Sequence, residues 1–314
     1  MTGGFLVSVF MKLFGQVDLV HVRSYVPFSM ALPWLMFSRT PCLFHTEGFW
    51  FDEKVDFGSW PQNGYLFKVG KQLEKVLYRR ADAISVLTYS AKQYLELEYE
   101  NRKSIVAPIF VVTVCTDLKR FCPPSMETAV SMGDLIYVGS LGGWYMADEM
   151  VRFYSAWRKL APSSRFIVVT KSPVDQIRRA LLDICAEDEL VHKIAEHDEV
   201  PTLIQQAQAA VCFIRPTFSK RGSMPTKLGE YLACGVPVAA NIIGDMAQVL
   251  HASSAGVVLH DFSDSSIEWA AKELFRRSLD GEVRADARAL AEKWFNLDDA
   301  VDVYDRIYQS LCVV

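Results

Sequence analysis

No C-x-x-C pair occurs among the seven cysteines, which are scattered and odd in number. That spacing excludes a zinc knuckle and argues against a disulfide framework, so reduced thiols packed as small hydrophobes are expected. No surplus of basic residues exists, since the net charge is −4, and with it goes the electrostatic footprint of a nucleic-acid binder. No apolar run reaches the ~20 residues that a membrane-spanning helix needs. The opening "MTGGFLVSVFMKLFGQ" is broken by Lys12 and Gln16 and has no basic residues ahead of its apolar stretch. It therefore reads as a helix of the first domain rather than a signal peptide. G-x-G-x-x-G is missing, as is an acidic residue closing the next strand, so a nicotinamide site ranks last. D-x-D is missing too, and with it any hint of a metal-bridged diphosphate. Neither short repeats nor low-complexity segments appear.

What is present is ordinary globular material, 51% hydrophobic and 22% charged, in 314 residues. That length suits two domains. Short, continuously apolar runs alternate with helical stretches: "DLVHV", "PCLFH", "DAISVLT", "SIVAPIFVVTV", then "LIYVGS", "RFIVVT", "LVHKI", "AAVCFI" and "VPVAA". Unbroken apolar strands separated by helices mark parallel sheets covered on both faces. A proline-containing stretch without period, Cys115 to Asp134, interrupts the alternation and reads as a linker. Helices are expected over "VDQIRRALLDICAE" and in the tail segments "SIEWAAKELFRRSL", "VRADARALAEKWF" and "LDDAVDVYDRIYQSL". The fold expected is α/β, with two doubly wound domains and a helical C-terminus. The boundaries are 1–122, a linker at 123–133, 134–296, and a last helix at 297–314.

Two stretches carry candidate chemistry. In "LIYVGSLGGWY" a buried strand runs into a glycine-rich turn that opens a helix, so Gly139, Gly142 and Gly143 let backbone N–H groups approach a phosphate. A plain tight turn is the alternative. In "SMPTKLGEYLACGVPVAAN" a helix opens at Pro225 and Thr226 with Ser223 as the nearby cap candidate, and Lys227 sits in its first turn. A cation there opposes the helix dipole unless something negative lies beside it. Glu230 follows on the same face. A nucleoside diphosphate fits: Lys227 and free N–H groups on phosphate, Glu230 on ribose hydroxyls. A surface Lys227–Glu230 ion pair is the bland alternative.

These residues carry a resemblance. "SMPTKLGEYLACGVPVAAN" resembles the nucleotide-sugar segment of the group 1 (family 4) retaining glycosyltransferases, and "VVTVCTDLKRFCPP" is similar to their interdomain motif. "LIYVGSLGGWYMADEM", "VPTLIQQAQAAVCFIRPT" and "GDMAQVLHASSAGVVL" follow in the family's order, and "FHTEGFWFDEKVDFGSWP" resembles an acceptor-side stretch. The resemblance implies the GT-B architecture: two Rossmann-like domains across a cleft, the C-terminal helix crossing back to the first. It implies transfer of a sugar, with retention, from a UDP-, GDP- or ADP-sugar donor to a glycan or lipid-linked acceptor hydroxyl, in polysaccharide or glycoconjugate synthesis. No cofactor or metal is implied. Lys227 would grip the diphosphate and stabilise the leaving group, Gly139 and Ser140, with Leu141 beside them, would approach the phosphates, Glu230 would hold ribose, and the His197–Val200 loop would meet the base. His45 stands where the family carries a catalytic-side residue; Glu47, Asp52 and Glu53 are comparable. His21, His192, His251 and His260 are expected to be structural. A cytoplasmic protein touching the membrane surface is the expected setting.

Three features depart from the family pattern. Gly222 stands where a glutamate is common, eight residues before Glu230. Ser140 and Leu141 stand where Arg or Lys is common, leaving Arg215, Lys220 or Arg221 as substitutes. The chain begins shortly before "DLVHV", so either the start is missing, or a reduced first domain is native, or a partner completes the sheet, whose open edge would invite self-association. A catalytically silent nucleotide-sugar-binding protein and a nucleotide-sugar epimerase remain the alternative functions.

Overall fold

The computed structural model describes residues 17–100, 107–125, 131–173, 175 and 189–312. The opening segment, the expected helix over Val174–Glu187, nearly all of it, and the middle of the linker lie outside the described residues. The chain divides into two compact units. Unit 1 gathers the described residues up to Thr113 together with Thr217–Met224 and the chain from Asp298; unit 2 comprises Val114–Pro216 and Pro225–Leu297.

Unit 1 holds four parallel strands in the order β1-β2-β3-β4: β1 Val20–Arg23, β2 Cys42–His45, β3 Ala83–Val86 and β4 Ile109–Val111. β2 and β3 are buried along their whole length, as central strands of a covered sheet must be. Helices α1 (Tyr25–Leu35), α2 (Trp50–Asp56), α3 (Tyr65–Arg80) and α4 (Tyr89–Glu100) alternate with the strands. The core is strongly aromatic: Tyr25, Phe28, Phe44 and Tyr78 pack edge to face, and the Tyr25 and Tyr78 hydroxyls share a 2.7 Å hydrogen bond that satisfies both polar tips in the interior.

Unit 2 holds six parallel strands in the order β10-β9-β8-β5-β6-β7. They are β5 Leu135–Val138, β6 Phe166–Val169, β7 Leu190–Lys193, β8 Ala209–Cys212, β9 Val238–Asn241 and β10 Gly256–Leu259. The chain builds outward from β5 through β6 and β7, then returns to β5's other side with β8 and continues to β9 and β10. β5 is therefore the switch point, where open α/β sheets leave a crevice at the strands' carboxyl ends. Helices α5 (Ala147–Arg158), α6 (Val200–Gln206), α7 (Thr226–Ala233), α8 (Met246–Leu250), α9 (Asp264–Ser278) and α10 (Val283–Trp294) cover this sheet. The last helix, α11 (Leu297–Cys312), belongs to unit 1 from Asp298 onward. No described helix is long and apolar enough to cross a membrane.

The octapeptide Thr217–Met224 is the piece of unit 1 that local sequence does not announce. Phe218 stacks on Phe49 and meets Tyr94 edge-on. Ser219 N–H donates to Asp56 Oδ2 at 2.8 Å, Lys220 pairs with Glu53, and the Thr88 hydroxyl donates to Arg221 O at 2.6 Å. At Gly222 a Cβ would come within 3.0 Å of the Gly48 Cα. The backbone contact occupies the space a longer side chain would need, which accounts physically for glycine at that departure from the family pattern.

Candidate functional site

The site in unit 2 grows from two local features. β5 ends in Gly139, whose φ of 131° lies where a side chain is strained. Its N–H bonds to Val169 O at 2.9 Å, and the next turn is held by Leu141 N–H on Ser172 Oγ at 3.1 Å. The second feature is the start of α7. Pro225, not Ser223, occupies the cap position, and no side chain caps the first turn. Ser223 is thus corrected as the cap: its segment is drawn into unit 1 against Gly48. Leu228 N–H is used on Pro225 O at 3.1 Å, and the amides before it in α7 have no side-chain cap.

Lys227 lies between these features, and only 5% of it is exposed. Its ammonium donates to the Tyr137 hydroxyl at 2.9 Å and stands 3.6 Å from the Tyr145 ring centre and 4.2 Å from that of Tyr137. Two aromatic faces and one phenol thus replace water around a cation. Burial pulls the Lys227 pKa down to about 8, with Cys212 and Glu230 opposing the shift. The surface ion pair is therefore not what the lysine makes. Tyr137 in turn donates to Ser140 O at 2.5 Å, so one hydroxyl ties the lysine to the glycine-rich turn. The Tyr231 hydroxyl accepts the Val138 N–H at 2.7 Å and fixes α7 against β5. A Cβ at residue 139 would lie 2.6 Å from Lys227 Nζ. Glycine there is required by close approach as well as by φ.

Glu230 is half-buried, and burial raises its pKa, opposed by His197, Lys227 and Arg120 in that order. Beside it His197 meets the Phe121 ring at 5.8 Å, and Arg120 is paired with Asp198. Gly139, Ser140, Thr170, Ser172, Ala195 and Val200 line one cavity of about 380 Å³. Of the expected site residues, Lys227, Gly139, Ser140, Leu141 and Val200 gather at this end of the sheet. Pro225 is buried and Thr226 exposed at the start of α7. Arg215 is exposed, its backbone N–H on Trp144 O at 2.8 Å. Lys220 is committed to Glu53 rather than left to face an anion.

His45 belongs to unit 1. Its Nδ1 lies 2.5 Å from the Tyr304 hydroxyl and 3.1 Å from Ser85 Oγ, and burial drops its pKa to about 4, so it is neutral at pH 7. His21, expected to be structural, joins the same cluster through Tyr308 at 2.7 Å. Glu47 pairs with Arg23 and Asp52 with Lys71. Sequence reasoning missed the tyrosines around Lys227. Tyr137 sits inside an apolar strand and Tyr145 beyond a turn, and only the hydroxyl on a fully apolar strand hinted at a polar task.

The profile of the family described as "Glycosyl transferases group 1" matches residues 133–276. No curated protein sequence matched the chain. Among solved structures, Anabaena HepE in complex with UDP and glucose aligns with a TM-score of 0.73 at 13% identity, over 99% of this chain and 81% of that one. Sucrose-phosphate synthase from Thermosynechococcus elongatus gives 0.72 at 14% identity, over 97% and 76%. A glycosyltransferase from Rickettsia africae gives 0.71 at 15% identity, over 99% and 80%. Residues 133–276 thus resemble the group 1 glycosyltransferases, and the fold of the chain is that of GT-B proteins.

Proposed function

We propose that the protein transfers a sugar from a nucleoside-diphosphate donor to an acceptor hydroxyl with retention of configuration, in polysaccharide or glycoconjugate synthesis. The observation that carries this reading is Lys227: a buried ammonium whose contacts are two tyrosine rings and a phenol, beside the uncapped first turn of α7. An unpaired buried cation is costly, and an anion beside it relieves the cost. A diphosphate would place its charge on Lys227, on the α7 N–H groups and on the backbone of Gly139, Ser140 and Leu141. As the glycosidic bond breaks, negative charge grows on the leaving diphosphate, and Lys227 stabilises it without reorganising. No metal is assigned to that task. Glu230 accepts from the ribose hydroxyls, the cavity lined by Val200 takes the base side, and Arg215 supplies further positive charge from the surface. The reading gives His45 no proton-transfer step, because its Nδ1 already meets Ser85 and Tyr304. A lipid-linked acceptor would bring unit 1, with Phe37 and Tyr65 exposed, to a membrane surface.

Incubation with UDP-glucose, GDP-mannose and ADP-glucose, each with alkyl glycosides and a lipid-linked sugar as acceptors, tests the reading. The expected result is release of one nucleoside diphosphate together with a product whose anomeric proton couples as in the donor. Donor binding without product across the panel would favour the silent nucleotide-sugar-binding protein. Interconversion of the free donors would favour the epimerase.

A further inference from the structure

A second hollow, of about 540 Å³, lies in unit 2 along β10, at one end of the sheet order. Three strand spacings, about 14 Å, separate β10 from β5. Its lining shares no residue with the Gly139 cavity. One wall is peptide backbone. Val238 N–H bonds to Ala255 O, so Ala255 and Val257 aim their peptide groups at β9, and Gly256 and Val258 aim theirs into the hollow. Arg277 covers part of this edge by donating to Gly256 O at 2.7 Å. The facing wall is α9, from which Trp269 stands 55% exposed. The imidazoles of His251 and His260 stack at 6.5 Å. Asp280 completes the rim.

Charge decides what such a hollow can hold. Arg276 and Arg277 both bond to Glu273, and Arg277 also spends a donor on the strand edge. With Glu273 against both and Asp280 beside them, part of their positive charge is already matched, which leaves an anion less to bind. Apart from the indole the side-chain rim is largely polar, which does not suit a lipid chain. What remains is one flat apolar face beside imidazole nitrogens and a carboxylate that can hydrogen-bond to hydroxyls. A pyranose has the matching halves, a face of C–H bonds and a rim of hydroxyls that each donate and accept. The volume lies within the ~300–1,000 Å³ range of small-ligand sites. We propose that this hollow binds a neutral pyranose chain, with a sugar ring stacked on Trp269 and its hydroxyls on His251, His260 and Asp280. The site stands apart from the diphosphate reading and does not depend on it.

Affinity electrophoresis of the full chain through gels containing dextran, glycogen, mannan, galactan or soluble chitin oligosaccharides tests it. At least one of these is expected to retard the protein. Trp269→Ala and His260→Ala should each cut the retardation constant at least five-fold, whereas Lys227→Ala should leave it unchanged. Trp269 is exposed, so its loss should spare the fold, and a thermal melt of each variant checks that. Trp269→Leu keeps apolar bulk without the flat ring and should behave like Trp269→Ala. No retardation by any neutral polymer overturns the proposal. So does retardation that survives both Trp269 variants, retardation lost in Lys227→Ala, or retardation only by an anionic polymer such as dextran sulfate.

Discussion

Lys220 and Lys227 stand seven residues apart in the sequence, are 7% and 5% exposed, and are accommodated by opposite strategies. Lys220, in the octapeptide that belongs to unit 1, reaches Glu53 and forms an ion pair within that unit. Lys227, at the start of α7 in unit 2, meets no carboxylate at ion-pair distance among the described residues and is wrapped in aromatic faces. A lysine whose charge is already matched is structural. A buried lysine whose charge is only tolerated is poised for a ligand. The difference leaves one buried lysine of the two, Lys227, without a carboxylate partner among the described residues.

The largest effect that tests this contrast is on stability against pH. Unfolded, Lys227 keeps its proton up to about 10.5; folded, up to about 8. Between those values the unfolded state binds more protons, so the lysine's contribution to stability rises with pH and is least favourable below pH 8. At about 1.4 kcal/mol per pH unit, the ligand-free protein carries a strain of about 3 kcal/mol there. Lys227→Met should therefore be more stable than the wild type at pH 7, and the gap should close towards pH 10. Chemical denaturation at pH 7, 8, 9 and 10 reads this directly; a constant gap, or a less stable variant, would remove the poised cation.

Gly139→Ala should cost about 1–3 kcal/mol, because it combines a strained φ with a clash at the Lys227 ammonium. Nucleotide affinity should fall with it, and a variant with wild-type melting and binding would show that the turn is not packed on Lys227. For Lys220, a double-mutant cycle with Glu53→Gln should give a coupling of about 1–2 kcal/mol, moderated by the partial exposure of Glu53. The same cycle built on Lys227 and Glu230 should give a smaller coupling, since no ion pair joins them. Smallest of all is Tyr137→Phe, which keeps the ring over the ammonium and removes only the hydroxyl shared by Lys227 and Ser140. About 1 kcal/mol of stability and a several-fold loss of diphosphate affinity are expected, with binding of the bare nucleoside unchanged; equal loss for nucleoside and diphosphate would assign Tyr137 a merely structural role.

Much of this was legible in the sequence, for identifiable reasons. Strands such as "CLFH" and "FIVV" were readable because both faces of a parallel sheet are covered, so every position is apolar. Gly139 and Lys227 were readable because backbone strain and a cation at the wrong helix end leave local marks. The tyrosine cage was not, because Tyr137 satisfies the same apolar pattern as its strand neighbours and its hydroxyl finds a partner 90 residues away. Nor was the fate of Lys220, whose carboxylate lies 167 residues back in the chain. Ser223 failed as a cap because Gly48 and Gly222 pack backbone to backbone, a contact without a pattern at any sequence period.

The central claim is that Lys227 receives a diphosphate, and calorimetric titration of UDP, GDP and ADP into wild type and Lys227→Ala at pH 7 tests it most directly. One nucleotide should bind, and the variant should lose about 10- to 100-fold in affinity, the scale of a hydrogen bond to a charged group at about 1.5–3 kcal/mol. Equal affinity in the two proteins, or no binding by any nucleotide to the folded wild type, would contradict it.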